Sequence, residues 1–147
     1  MTGAGRGIGK AMAARLAADG ASVTIADIAG YDVAAAELAK AGARTLGLKV
    51  DVSSESDTAS MAEETLRAFG RIDILVNCAA MFATVKLGPF EEIPASEWKR
   101  SFHAVVGGQD RARDPVRAAV VAGDRPAGAY AGDADSSGAG GRRIWRQ

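Results

Sequence analysis

The stretch TGAGRGIG, residues 2–9, decides the fold, and it begins one residue from the N-terminus. It runs straight into KAMAARLAADG (10–20), in which Met12 and Leu16 follow Ile8 at helical spacing and Gly20 marks the stop. A glycine-rich turn that opens a helix aims backbone N–H groups and the positive end of the helix dipole at one point, a geometry suited to a pyrophosphate. Glycine is required because a Cβ would block close approach to the backbone. Such a turn ordinarily ends a β-strand, and here no strand precedes it.

Outward from that turn the chain alternates between two periods. ASVTIAD (21–27) is a β-branched run and predicts a strand ending in Asp27, eighteen residues beyond Gly9. DVAAAELAKAG (32–42) predicts a helix stopped by glycine, and RTLGLKV (44–50) a strand with Leu46, Leu48 and Val50 on one side. Ser54-Glu-Ser-Asp57 is a capping-box pattern opening a helix through Phe69, with Gly70 past its end. IDILV (72–76) reads as a parallel strand covered on both faces. Ser96 is the expected cap of a helix holding Trp98 and Phe102. This is an α/β, doubly wound parallel pattern, and a carboxylate at Asp27 stands where such folds bond the adenosine ribose hydroxyls.

Residues 2–102 resemble the short-chain dehydrogenase/reductase family. TGAGRGIG (2–9), Asp51-Val52, DILVNCAA (73–80) and Glu97-Trp98 carry the likeness in order. The resemblance implies an incomplete Rossmann-type sheet, its first strand and C-terminal half missing. It also implies a nicotinamide cofactor for interconverting a secondary alcohol and a ketone. The implied cofactor residues are Gly3, Arg6, Gly7, Ile8, Gly9 and Asp27, with Asp51 and Val52 at the adenine and Asn77, Ala79 and Ala80 lining the adenosine ribose. The family commonly has Asn-Asn-Ala-Gly where this chain has Asn77-Cys78-Ala79-Ala80, which predicts weakened detail. Cys78 reads as a small buried residue and not as a reactive thiol. Asp27 would repel the 2′-phosphate of NADP, and Ile28 follows it with no arginine to offset this, so NAD is the expected cofactor. Arg6 pulls toward NADP.

The chemistry that the resemblance implies is a tyrosine acid/base with a lysine four residues later, a serine on the substrate oxygen and an asparagine in the proton relay. Tyr31 is followed at that spacing by Ala35, Tyr130 by Ala134, and no lysine occurs after Lys99. The asparagine is due near Val105. The serine is due near Ser136 and Ser137, where the apolar strand that would present it is lacking. No catalytic residue is assigned.

From Ala104 to Gln147 the composition changes abruptly: Leu, Lys, Glu, Thr, Asn, Phe and Met are all missing. The expected division is therefore a truncated dinucleotide-binding region, 1–102, and a segment foreign to the family, 103–147. That segment reads either as a flexible Ala/Gly/Arg-rich tail or as GC-rich DNA translated out of frame. The mid-helix break favours the second. Seven arginines against five aspartates there give too little excess charge for nucleic-acid binding. A reading frame opened inside a gene, at a GTG codon read as Met1, would account for the missing strand. Losing a central strand forfeits about 1.5–3 kcal/mol per large apolar side chain. The total, on the order of 10 kcal/mol, rivals a whole domain's stability, so the chain is expected to fold poorly alone and not to assemble into the homo-oligomers usual in the family.

The remaining composition is restrictive. Net charge is zero, no membrane-length apolar run or secretory leader occurs, and the cytoplasm is the default location. One cysteine and one histidine, Cys78 and His103, exclude a disulfide and a multi-cysteine metal cluster. Three outcomes stay open: an oxidoreductase by descent without its catalytic residues, a non-catalytic NAD-binding module, or a truncated product without function.

Overall fold

The computed structural model describes residues 1–81 and 88–122. In chain order these form α1 (Gly7–Ala18), β1 (Val23–Asp27), α2 (Tyr31–Lys40), β2 (Thr45–Lys49), α3 (Glu55–Phe69), a 3₁₀ turn (Phe90–Glu92), α4 (Ala95–Phe102), a π-turn (His103–Gly107) and α5 (Gly108–Ala122). β1 and β2 pair in parallel from Val23↔Thr45 to Asp27↔Lys49, joined by α2 as a βαβ unit. The strand ends lie within two residues of the bounds expected from β-branched content.

Among the described residues, Met1 and Thr2 sit beside β1 on the edge away from β2, with Ala4 N–H reaching Ala26 O at 3.4 Å just beyond them. The Met1 amino group donates to Thr24 O (2.9 Å), and Ala26 N–H donates to Met1 O (3.0 Å). Thr2 bridges in parallel to Ala26 on one side and to Asn77 on the other, with Thr2 N–H donating to Val76 O at 3.0 Å. These two residues are a strand stub holding the sheet to the segment around residue 77.

The stub explains where the expected strand over 72–76 fails. Only its end is tied down, and Ile72–Leu75 form no ladder. Its apolar run satisfies the side-chain requirement of a buried strand, but a ladder also needs a neighbour with matching N–H and C=O groups. Among the described residues none runs beside 72–75.

Helices cover both faces. Ala13 of α1 and Ala34 and Ala35 of α2 pack with Val23, Ile25, Met1 and Ala4. On the other face Met61 of α3 and Ala112 of α5 pack with Ala26, Val50 and Val52. Of the Ile8–Met12–Leu16 stripe only Leu16 packs on the core: Ile8 is 77% exposed and Met12 44%, whereas Gly9 and Ala13 are buried. Small residues let α1 lie close on the sheet. α3 begins as expected: Asp57 N–H donates to the Ser54 side chain, and Gly70 closes the helix. Asp51 N–H, then the Ser54 hydroxyl, hold the Asp57 carboxyl below the usual carboxylate range. α4 starts earlier than expected, because Glu97 and Trp98 N–H groups already bond Pro94 O; Pro94, not Ser96, is its cap. No helix among the described residues is long and apolar enough to cross a membrane.

Burial pushes the Met1 amino group down from 8.0 to about 6. Below pH 6 folded and unfolded chains both carry the proton, and the fold bears the whole cost of burying the charge. Between pH 6 and 8 only the unfolded chain holds it, so stability rises with pH. The folded population, followed by amide NMR, should climb across pH 6–8 by an equivalent of roughly 2–3 kcal/mol. Acetylation of the amino group should abolish that slope.

Candidate functional site

At the C-terminal ends of the parallel strands, the loop 3–6 leads into α1. The first helical bond here is Lys10 N–H to Arg6 O (3.2 Å), so the amides of Gly7, Ile8 and Gly9 precede the helical ladder. Arg6 is the N-cap, extended at φ −157°, and offers no side-chain cap; the first turn holds no acidic residue. α3 is closed by contrast, with the Ser54 cap and Glu55 and Asp57 in its first turn, whereas α2 lacks a side-chain cap as α1 does but carries Asp32 in its first turn. The start of α1 is therefore an electropositive mouth left open.

The glycines shape that mouth. Gly7 adopts φ +56°, and a Cβ there would meet open space. A Cβ on Gly9 would lie 2.0 Å from Gly3 O, so only glycine lets the helix close on the loop. Gly3 stands equally near Ala79, 2.6 Å from a built Cβ to its Cα. The cradle thus has one side open, in front of Gly7, and the other sealed by backbone.

Asp27 is half-buried at the end of β1. Its Oδ2 accepts from Gly5 N–H at 2.9 Å and its Oδ1 from Ala29 N–H at 3.3 Å. The carboxylate thereby pins the loop to the strand, and each oxygen retains a second lone pair. Thr2, buried, accepts at Oγ1 from Cys78 N–H (3.2 Å) and Ala79 N–H (3.3 Å), tying the turn after residue 76 to the same loop.

Of the residues expected at the cofactor, Gly3, Arg6, Gly7, Ile8, Gly9, Asp27 and Ala79 are brought together around this loop. Asn77 and Ala80 are exposed beside it. Asp51 is exposed, with Oδ1 accepting from Ser53 N–H (2.8 Å) and Ser53 Oγ (2.6 Å). Val52 is buried; its carbonyl accepts from Arg111 Nε at 3.1 Å, and Gly108 packs on its side chain. Two contributors were absent from the expected set: the Thr2 hydroxyl and the Gly5 N–H. Both stand inside the quoted motif, and their position between Met1 and Arg6 was the available signal.

Val105, at the place expected for the relay asparagine, lies in the π-turn. Tyr130, Ser136 and Ser137 lie outside the described residues. Among the described residues no group of three His, Cys, Asp or Glu side chains could hold a metal ion. The cradle fits an anion flanked by a hydroxyl-bearing group: open amides in front, a carboxylate at the side.

Known proteins are similar to this chain. The family profile described as "short chain dehydrogenase" matches residues 1–109. A sorbitol dehydrogenase of Cereibacter sphaeroides is 37% identical over 125 residues, 85% of this chain and 47% of that protein. A short-chain dehydrogenase/reductase of Brucella melitensis, titled a glucose/ribitol dehydrogenase, superposes with a TM-score of 0.73 at 30% identity, covering 81% of this chain and 50% of that one. A 3-ketoacyl-ACP reductase of Sinorhizobium meliloti gives 0.72 at 28% identity, covering 82% of this chain and 46% of that one. The chain spans about half the length of the relatives it matches.

The loop geometry ranks two substitutions. Gly9→Ala drives a Cβ into a backbone carbonyl and should destabilise by about 3 kcal/mol or more, the top of the overpacking range. Gly7→Ala meets no atom and should cost only the left-handed backbone, about 1 kcal/mol. Denaturant midpoints of the two variants check the order.

Proposed function

The chain belongs to the short-chain dehydrogenase family, and from that premise we propose that it binds NAD without turning over a substrate. The carrying observation is the uncapped start of α1, open in front of Gly7 and flanked by the Asp27 carboxylate. In this reading the amides of Gly7, Ile8 and Gly9 face the pyrophosphate, where the helix dipole adds to their partial charge. Asp27 accepts from the adenosine ribose hydroxyls with the lone pairs left over from Gly5 and Ala29. Asp51 and the backbone at Val52 meet the adenine. Asn77, Ala79 and Ala80 line the ribose, and Gly3 keeps the loop close to Ala79. A bound nicotinamide dinucleotide would supply hydride-transfer chemistry between an alcohol and a ketone.

Electrostatics favour NAD over NADP. A 2′-phosphate would stand against the Asp27 carboxylate, whereas Arg6, exposed on the loop, is a long side chain that gives up rotamer freedom to reach it. The absence of turnover rests on the sequence: neither tyrosine has a lysine four residues on. Without that pair, proton transfer to or from the substrate oxygen loses its acid/base.

The division at residue 102 belongs to the same proposal. Residues 103–122 are helical, but their local choices oppose helix: Gly107 ends the π-turn, Gly108 opens α5 and Pro115 lies inside it, each unfavourable there. What holds them is packing of Ala112 and Val116 and the Arg111 bonds to Val52 O and to His103 O (2.9 Å). This local mismatch over 103–122 is the ground for keeping the segment apart, against a family profile that runs on to residue 109, and a truncated product is the second reading.

Calorimetry with each dinucleotide tests the proposal. Saturable one-to-one NAD binding is expected, with NADP at least tenfold weaker, and Asp27→Ser should narrow that gap. Assays of sorbitol, ribitol and simple ketones with either cofactor should show no turnover. Measurable turnover overturns inactivity; no binding of either dinucleotide overturns the function.

A further inference from the structure

β2 runs into a β-turn over Asp51-Val52-Ser53-Ser54, closed by Ser54 N–H on Asp51 O at 2.9 Å. Val50 N–H donates to Asp27 O (3.0 Å), which sets that turn beside the cradle. The central peptide of a β-turn takes no part in the bond that closes it, and turning that peptide over separates the two common turn types. Here side chains hold both of its ends. Ser53 N–H donates to Asp51 Oδ1 at 2.8 Å, and Val52 O accepts from Arg111 Nε at 3.1 Å.

Arg111 reaches that carbonyl from α5, 59 positions along the chain. Its Nη2 donates to His103 O at 2.9 Å, so two carbonyls fix the plane of the guanidinium. Among the described residues no carboxylate forms an ion pair with it. Helix propensity is given up to bring it there. A Cβ on Gly108 would stand 2.8 Å from Val52 Cγ2, and one on Gly107 2.7 Å from Arg111 Nη2. Two adjacent glycines, unfavourable in a helix, thus let α5 lie against the turn.

We infer that Arg111 is a positioning residue for the adenine base: by holding the Val52 carbonyl it fixes the Ser53 amide that orients the Asp51 carboxylate toward the 6-amino group. This rests on the dinucleotide reading of the cradle. An ionised carboxylate only accepts, and the amino group is the donor that adenine offers it. Asp51 Oδ1 takes both the Ser53 N–H and the Ser53 hydroxyl, and among the described residues no donor reaches Oδ2, which is left for the base. Without the guanidinium, the carbonyl of buried Val52 has no donor. That penalty is of the same order as the left-handed backbone that Ser53 would adopt if the peptide turned over. Turned over, the Ser53 amide leaves the carboxylate, and Asp51 loses its orientation.

The test compares NAD with nicotinamide hypoxanthine dinucleotide, in which a carbonyl replaces the 6-amino group. By calorimetry the full chain should bind NAD about tenfold more tightly than this analogue, the worth of one bond to a charged group. Arg111→Met, which keeps an unbranched apolar stem, should weaken NAD about tenfold and change the analogue by less than about twofold. A residue that merely held α5 in place would weaken both alike. In the variant without ligand, hydrogen exchange at the Ser53 amide should quicken about tenfold while the Ala112 amide is unchanged. With α5 in place, an equal loss for both ligands or an unchanged Ser53 amide overturns the inference. Where a faster Ala112 amide shows α5 released, the unaltered chain decides. A hydrogen-bond coupling between Arg111 Nε and the Val52 carbonyl carbon is expected there with NAD bound, and its absence overturns the inference. Equal binding of NAD and the analogue by the unaltered chain also overturns it, yet leaves dinucleotide binding standing. Binding of neither overturns that reading and the inference with it.

Discussion

A two-residue strand holds this molecule together. Met1 and Thr2 exchange main-chain bonds with Thr24 and Ala26 on one side and Val76 on the other, and the Thr2 hydroxyl takes two further N–H groups from Cys78 and Ala79. Among the described residues C-terminal to residue 70, the segment around residue 77 meets the β1–β2 unit through this stub, and α5 meets it through Ala112 packing on Ala26 and Val50, beside its contact with α3. Burial makes each bond matter, since a buried N–H left without an acceptor costs about 1–3 kcal/mol. Thr2 serves as the acceptor for two of them, and its replacement would uncouple the turn at 78–79 from the glycine loop.

The same stub sets the geometry of the cradle. Gly3 follows it directly and approaches Ala79 so closely that no side chain fits. Gly5 is then carried to the Asp27 carboxylate, and Gly9 to the Gly3 carbonyl. The recognition surface is thus mostly backbone, fixed by three close approaches, and can exist without the side chains that move protons. Binding and catalysis draw on different parts of such a fold: amides from the first βα turn, titrating side chains from elsewhere. A chain with one and not the other is physically coherent.

Much of the fold was legible because its signals are local. The Ser54–Asp57 cap, the closing Gly70, the β-branched run at 23–27 and the helical spacing of α2 depend on residues within a few positions of each other. The glycine loop and Asp27 were legible for the same reason. What was not legible depends on a partner distant in sequence. IDILV has the composition of a covered strand, yet pairing requires a neighbour along its whole length, and the stub ends at Met1. Ile8 and Met12 have helical spacing, yet the sheet accepts the small face of α1 at Gly9 and Ala13, and of the stripe only Leu16 reaches the core. Thr2 was visible as part of a motif, but its two bonds to residues 78 and 79 span more than seventy positions.

The stub also preorganises the cradle. Met1 and Thr2 are fixed by three main-chain bonds and by a hydroxyl that accepts twice, and Gly3 follows them directly, so its close approach to Ala79 is set by backbone bonds already made. A loop ordered before its ligand arrives spares the ligand part of the entropy it must otherwise overcome. The amides that open α1 therefore owe their fixed geometry to main-chain contacts with β1 and the segment around residue 77, and not to side chains of their own.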